Sequence, residues 1–206
     1  GGGTVWDSIT YDPVTNLVFF GTGNAEPWNP AYRNTDGAGD SLYTASIVAV
    51  KPDTGEYAWH FQETPEDRWD FDSNQQITVT DLNIGGQKRR VVMHAPKNGF
   101  FYVLDAKTGQ FLSGKPFVDG INWAKGLDAK GQPIPDPLKY PQIDGALVSP
   151  NQAGAANWPP PSYSPATGLF YVNASNAYSV WYIYDDTDKP EGWGGSWTEK
   201  KLVAFE

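Results

Sequence analysis

Trp69-Asp70-Phe71-Asp72 is the segment whose residue types and spacing most invite chemistry. In an extended chain successive side chains alternate, so Asp70 and Asp72 would share one face while Trp69 and Phe71 point to the other. Two carboxylates that close repel unless a cation or a shared proton intervenes. That leaves two readings, a hard-metal site or a turn in open water. Other chemistries have little to work with. The two histidines, His60 and His94, have no Ser or Asp pattern beside them for a triad, and a zinc site would need several His or Cys. Both read as strand side chains. No Gly-rich loop opens onto a clear helix, so a phosphate-binding fingerprint is unsupported.

The elements that must position these residues show up as internal echoes. Tyr11-Asp-Pro-Val-Thr-Asn-Leu-Val-Phe-Phe-Gly-Thr-Gly-Asn24 aligns without a gap on Tyr163-Ser-Pro-Ala-Thr-Gly-Leu-Phe-Tyr-Val-Asn-Ala-Ser-Asn176, and Ile47-Val-Ala-Val-Lys-Pro-Asp-Thr-Gly55 recurs as Tyr102-Val-Leu-Asp-Ala-Lys-Thr-Gly109. Leu202-Val-Ala-Phe-Glu206 is a third start of the second kind. Each echo is a strand running into a tight turn, where Gly55 and Gly109 supply positive φ at no steric cost. Tyr57 to Phe61 alternates as a half-buried return strand should. Val91 to His94 and Gly99 to Leu104 supply further strands, with a turn over Asn83 to Gln87. Gly114 to Pro150, rich in Gly, Pro, Asp and Lys, is expected to be a long connection.

Composition agrees with short strands joined by turns. The chain has nine Trp, eleven Tyr, ten Phe, 22 Gly and 17 Pro in 206 residues, an all-β signature. Units of this kind cannot bury their faces alone and must stack, which favours a β-propeller of about two to three blades over one sandwich. A net charge of −9 argues against a nucleic-acid partner. The one basic cluster, Lys88, Arg89 and Arg90, reads as a solvated hairpin shoulder. There is no Cys. No apolar run reaches the roughly 20 residues of a membrane helix.

Gly1-Gly-Gly-Thr4-Val-Trp6, Gly21-Thr-Gly-Asn24 and Pro27-Trp28-Asn29, read with the Asp pair, together resemble the PQQ-dependent (quinoprotein) alcohol dehydrogenases. Thr64-Pro-Glu-Asp-Arg-Trp-Asp-Phe71, Ala95-Pro-Lys-Asn-Gly-Phe-Phe-Tyr-Val-Leu-Asp105 and Gly154-Ala-Ala-Asn-Trp158 extend the likeness to about residue 175. The resemblance implies that residues 1–206 are an internal piece of a single eight-bladed propeller domain with PQQ held at its axis. It implies that Trp6 stacks on the quinone, that Thr4 and Asn157 give it polar contacts and that Lys97 faces its oxygens. Asn24, Asp70 and Asp72 are implied metal ligands, Asp70 also the catalytic carboxylate, and Trp28 a wall of the substrate pocket. The implied cofactors are PQQ and a lanthanide(III) ion or Ca²⁺, with Asp72 favouring the lanthanide, since calcium members usually carry a small or neutral residue there. A further glutamate ligand, a vicinal disulfide and an arginine are implied upstream of Gly1.

The activity so implied is oxidation of a primary alcohol, with a cytochrome c or quinone as electron acceptor and a periplasmic location. Two rival readings stay open, a PQQ-dependent sugar or polyol dehydrogenase and a non-catalytic propeller that binds other molecules. Ala156 stands where common members carry His. Tyr178 to Tyr184 and Gly192-Trp-Gly-Gly195 fit the best-known methanol and ethanol enzymes less well. The chain starts without Met and stops in an apolar run, as expected of a window cut from a longer protein.

Overall fold

In a computed structural model the described residues are 2–33, 39–183 and the backbone of 202–205. The expectations for Tyr184 and Gly192 to Gly195 lie outside them. Four strands, β1 (Ile9–Asp12), β2 (Leu17–Gly21), β3 (Ser46–Val50) and β4 (Tyr57–Gln62), pair antiparallel in sequence order. A second sheet repeats the plan with β5 (Thr78–Ile84), β6 (Gln87–His94), β7 (Phe100–Asp105) and β8 (Phe111–Pro116). After a short hairpin, β9 (Ala124–Leu127) with β10 (Pro133–Pro135), comes β11 (Ala146–Val148). A second hairpin follows, β12 (Ser162–Ser164) with β13 (Leu169–Tyr171), and then β14 (Ser179–Ile183) and β15 (Leu202–Phe205). The last two join β11 in a third sheet. Two complete four-stranded sheets and parts of a third make this a partial β-propeller.

The echoes correspond to repeated geometry. Lys51 N donates to Glu56 O at 2.8 Å and Gly55 N to Lys51 O at 2.9 Å, and Asp105 N and Gly109 N repeat the pattern at 2.8 and 2.9 Å. Gly55 and Gly109 have φ of 71° and 72°. In the other echo Asn16 (φ 54°) and Gly168 (φ 70°) take the same left-handed turn position. Asn is one of the few side-chain-bearing residues that tolerate it.

The stretch from Gly114 to Pro150 is more ordered than its composition predicts. It begins inside β8, contains the β9–β10 hairpin and a 3₁₀ turn (Pro137–Lys139), and ends with β11. Trp123 explains why: its ring is fully buried among Trp69, Phe71 and Phe100, and its Nε1 donates to Asn98 O at 2.8 Å. A buried indole anchors chain that its neighbours alone would leave irregular.

Arg90 also departs from the solvated reading. Its guanidinium reaches from β6 to Asp12 on β1, Nη2 to Oδ1 at 2.6 Å, and Asp12 has no side-chain exposure. Thr10 Oγ1 donates to Ile77 O at 2.9 Å across the same boundary, so two polar ties supplement the apolar core that the first two sheets share. His60 and His94 do lie in strands, β4 and β6. His94, fully buried, has Nδ1 at 2.9 Å from both carboxylate oxygens of buried Glu63 and Nε2 at 2.8 Å from Gln75 O. Among the described residues no helix is long and apolar enough to cross a membrane.

Candidate cofactor and metal site

The segment between β4 and β5 carries Asp70 and Asp72, and it is not extended. Asp70 has φ 62° and Asp72 N donates back to Asp70 O at 3.2 Å, so the chain curls there. The cause is Asp67, buried beneath, whose two carboxylate oxygens accept from Trp69 N and Phe71 N, each at 3.1 Å. Side chains of Asp commonly bond the backbone a few residues on and so compete with strand geometry. The alternation expected of an extended strand is therefore absent at Asp70. Trp69 and Phe71 nevertheless stack at 5.8 Å in the aromatic core, and Asp70 and Asp72 still come together, at Lys97.

Lys97, in the β6–β7 turn, joins them. Its Nζ lies 2.6 Å from Asp72 Oδ2, 2.9 Å from Asp70 O and 3.6 Å from Asp70 Oδ2. Gly154 backs this lysine so closely that a Cβ at its φ of +85° would sit 2.4 Å from Lys97 Cγ, and Ala155 N donates to Lys97 O at 2.8 Å. Asp72 Oδ1 accepts from Asn24 N at 2.6 Å. The Gly-Thr-Gly-Asn run is small for a steric reason: a Cβ on Gly21 would overlap Ser73 O, and one on Gly23 would lie 3.0 Å from Asp72 Oδ1 and 3.1 Å from Thr4 O.

Burial pushes the Asp70 carboxyl up to about 7; Lys97 opposes this and the Asp72 and Asp67 charges add to it. Burial likewise pushes Asp67 up to about 6, against its two backbone bonds and Arg33. Asp67, Asp70 and Asp72 thus disfavour one another's charged forms, and Lys97 and Arg33 oppose this in part. A positive ion placed beside them would favour the carboxylate forms. Among the described residues no group of three or more His, Cys, Asp or Glu is arranged to hold one. What the loop cluster offers is two carboxylates and the Asn24 amide. Asn24 Nδ2 is spent on Ala25 O (3.3 Å) and Glu26 Oε1 (3.2 Å), which leaves Oδ1 as the end available to a cation. Oxygen donors of this kind fit Ca²⁺ or a harder trivalent ion, as part of a larger ligand set.

The remaining expected residues surround this cluster at different removes. Thr4 is tied in through its carbonyl, which accepts from Gly23 N at 3.0 Å. Trp6 is 42% exposed rather than packed in a blade, a free aromatic face of the sort that could stack on a flat ring. Trp28 is half-buried, edge-on to Trp181 at 5.4 Å. Its Nε1 donates at 2.9 Å to the same Glu26 oxygen that Asn24 Nδ2 reaches, so Glu26 links Trp28 to Asn24. Arg33 Nη1 holds this loop by donating to Pro27 O (2.8 Å) and Trp28 O (2.7 Å). Asn157 is engaged within its own turn, Nδ2 to Ala153 O at 2.7 Å and Oδ1 accepting from Trp158 N at 2.8 Å. Among the described residues no side-chain hydrogen bond or ring contact connects Trp6 or Asn157 to the Asp70–Asp72–Lys97 group. Sequence reasoning missed Glu26, Asp67, Asn74 and Glu63; of these only Asp67 carries a local signal, as an Asp two to four residues before the backbone groups it caps.

Comparison with known proteins bears on this arrangement. Residues 1–115 match the family model for the PQQ glucose/ethanol/alcohol dehydrogenase β-propeller domain. The chain is 52% identical over 201 residues to the dehydrogenase subunit of an alcohol dehydrogenase (quinone) from Komagataeibacter europaeus, covering 94% of this chain and 26% of that protein. The structure matches quinohemoprotein alcohol dehydrogenase from Comamonas testosteroni with a TM-score of 0.87 at 44% identity, over 98% of this chain and 31% of the other. It matches a europium-containing methanol dehydrogenase with a TM-score of 0.83 at 37% identity, over 89% and 32%. The chain spans about a quarter of the length of the curated relatives it matches. With two repeated four-stranded sheets and a carboxylate, amide and lysine cluster on their connecting loops, the chain belongs to the PQQ-dependent glucose/ethanol/alcohol dehydrogenase family and forms part of its β-propeller domain.

Proposed function

We propose that this chain supplies the metal-side wall and the catalytic base of an oxidoreductase that converts a primary alcohol to an aldehyde. The convergence of Asp70 and Asp72 on Lys97, with Asn24 held to Asp72 through its backbone N–H, supports this reading. PQQ, bound together with Ca²⁺ or a lanthanide ion, would supply an electrophilic carbonyl that accepts hydride from the carbinol carbon. Asp70, partly exposed and beside Lys97, takes the hydroxyl proton of the alcohol. A cation held by Asp70, Asp72 and Asn24 Oδ1 would oppose the effect of burial on Asp70 and favour its carboxylate form. Lys97 would hold positive charge toward the oxygens of the bound quinone, and Trp6 would offer it a stacking face. Thr4 and Asn157 contribute polar contacts and Trp28 confines the alcohol. Reoxidation by a cytochrome c or a quinone, in the periplasm, completes the reading; the relatives' names, quinohemoprotein and alcohol dehydrogenase (quinone), support those acceptor classes.

The test uses the full-length protein reconstituted with PQQ and metal, assayed for reduction of an artificial dye by a primary alcohol, with an aldose and a polyol in parallel. Asp70→Asn should lower kcat by about a hundredfold or more while PQQ still binds. A variant with near-normal kcat removes Asp70 from the role of base, and turnover confined to the aldose or polyol replaces the substrate class.

A further inference from the structure

We infer that Asn74 is a positioning residue that seats the segment carrying Thr4 and Trp6 against the loop carrying Asp70 and Asp72. The inference rests on the function proposed above. Asn74 is 1% exposed, two residues beyond Asp72. Its Nδ2 donates to Thr4 O at 3.0 Å and to Gly21 O at 2.9 Å. One amide group therefore spends both N–H bonds on carbonyls from two different segments.

The stretch Gly2–Ser8 has few other anchors to the propeller. Gly3 N donates to Asn24 O at 2.9 Å, Gly23 N to Thr4 O at 3.0 Å, and Gly2 bridges Ala25. All of these attach it to Gly23–Ala25, on the metal side of the site. Among the described residues, Asn74 is the side chain that ties it to the loop of the proposed base. Trp6, with its exposed indole, lies two residues beyond Thr4, so a rotation about Thr4 would carry the proposed stacking face with it. Orientation of this kind controls affinity and rate together.

No other small residue does the same work. Asp has Asn's shape but would aim an oxygen at two carbonyls, Ser has one donor, and Gln is a methylene longer in a place with no slack. Gly21 already lacks a Cβ, which would lie 2.7 Å from Asn74 Cα.

Full-length apoprotein is titrated with PQQ in the presence of Ca²⁺ and of La³⁺, and the dissociation constant is read by calorimetry beside the thermal midpoint. Asn74→Asp and Asn74→Ala should raise Kd about tenfold, with Asn74→Ser in between. Arg90→Met, which breaks the tie to Asp12 between the first two sheets, should lower the midpoint at least as far yet leave Kd within about twofold of wild type. Wild-type affinity in the Asn74 variants overturns the inference. So does an equal loss of affinity in Arg90→Met, which would make Asn74 one more contributor to stability. Failure of the wild type to bind PQQ overturns the proposed function, and this inference with it.

Discussion

Asp72 has both carboxylate oxygens in use, one on Lys97 Nζ and one on the backbone N of Asn24, each at 2.6 Å. It organises two neighbours and also adds a negative charge beside Asp70. The charge is what a trivalent ion needs more than a divalent one, and it motivates the prediction that the full-length protein prefers a light lanthanide to calcium. Asp72→Asn tests this better than Ala would, because it keeps an oxygen to accept from Asn24 N while removing the charge. Apoenzyme with PQQ should be activated more by La³⁺ than by Ca²⁺, and the variant should lose that preference. A fall in the response to both ions alike would leave Asp72 an organiser of Asn24 and Lys97 only, and equal activation of the wild type by both ions would end the lanthanide idea. The Asp pair was legible because two acidic side chains beside two large aromatic ones admit few arrangements. Its backbone was not legible, since the curl at Asp70 depends on Asp67 being buried under the turn and on Trp123 arriving from more than 50 residues away.

At the scale of elements, what repeats in sequence repeats in space. Turns with Gly55, Gly109, Asn16 and Gly168 could be read from the chain because positive φ restricts the residue locally. Contacts between elements could not. Arg90 sits in a basic run that any composition argument leaves in water, and only the register of β5 with β6 and the approach of β1 bring it to Asp12. Burial would raise the Asp12 carboxyl, but the bonds from Arg90, Thr15 and Val14 outweigh it and hold the group below its usual range. A depressed folded-state value means a contribution to stability that is present above the unfolded value of about 3.9 and is lost as pH falls through the folded one. Arg90→Met should therefore destabilise the full-length protein by about 2 kcal/mol near pH 7, less than for a fully buried pair because Arg90 is partly exposed. The deficit should shrink below about pH 4, as Asp12 takes up a proton and no longer needs its partner. Urea midpoints of both proteins across pH check this, and a deficit independent of pH would assign the loss to packing of the arginine stem.

Across the whole molecule, alternate connections divide the labour. In antiparallel sheets wired in sequence order, the β2–β3, β4–β5 and β6–β7 links emerge at one end, and these carry Asn24, Trp28, Asp70, Asp72, Asn74 and Lys97. The tight turns emerge at the other end and carry none of the proposed site. A propeller of this kind closes its sheets on one another, whereas this chain presents flanks. Its first strand, β1, ends a sheet, and Ile9, Tyr11 and Val14 around it are 63%, 53% and 71% exposed; Leu147, Leu169 and Tyr171 are about half exposed elsewhere. Apolar side chains beside an unpaired strand edge favour association. The 206-residue chain by itself should then sediment as concentration-dependent oligomers and bind a hydrophobic dye such as ANS, unlike the full-length protein. Ile9→Lys with Val14→Lys should reduce both effects, because two charges on that flank oppose edge-to-edge pairing without touching the core. A monodisperse monomer that ignores the dye would mean that this flank needs no further blade to cover it, and would count against closure of the sheets through β1.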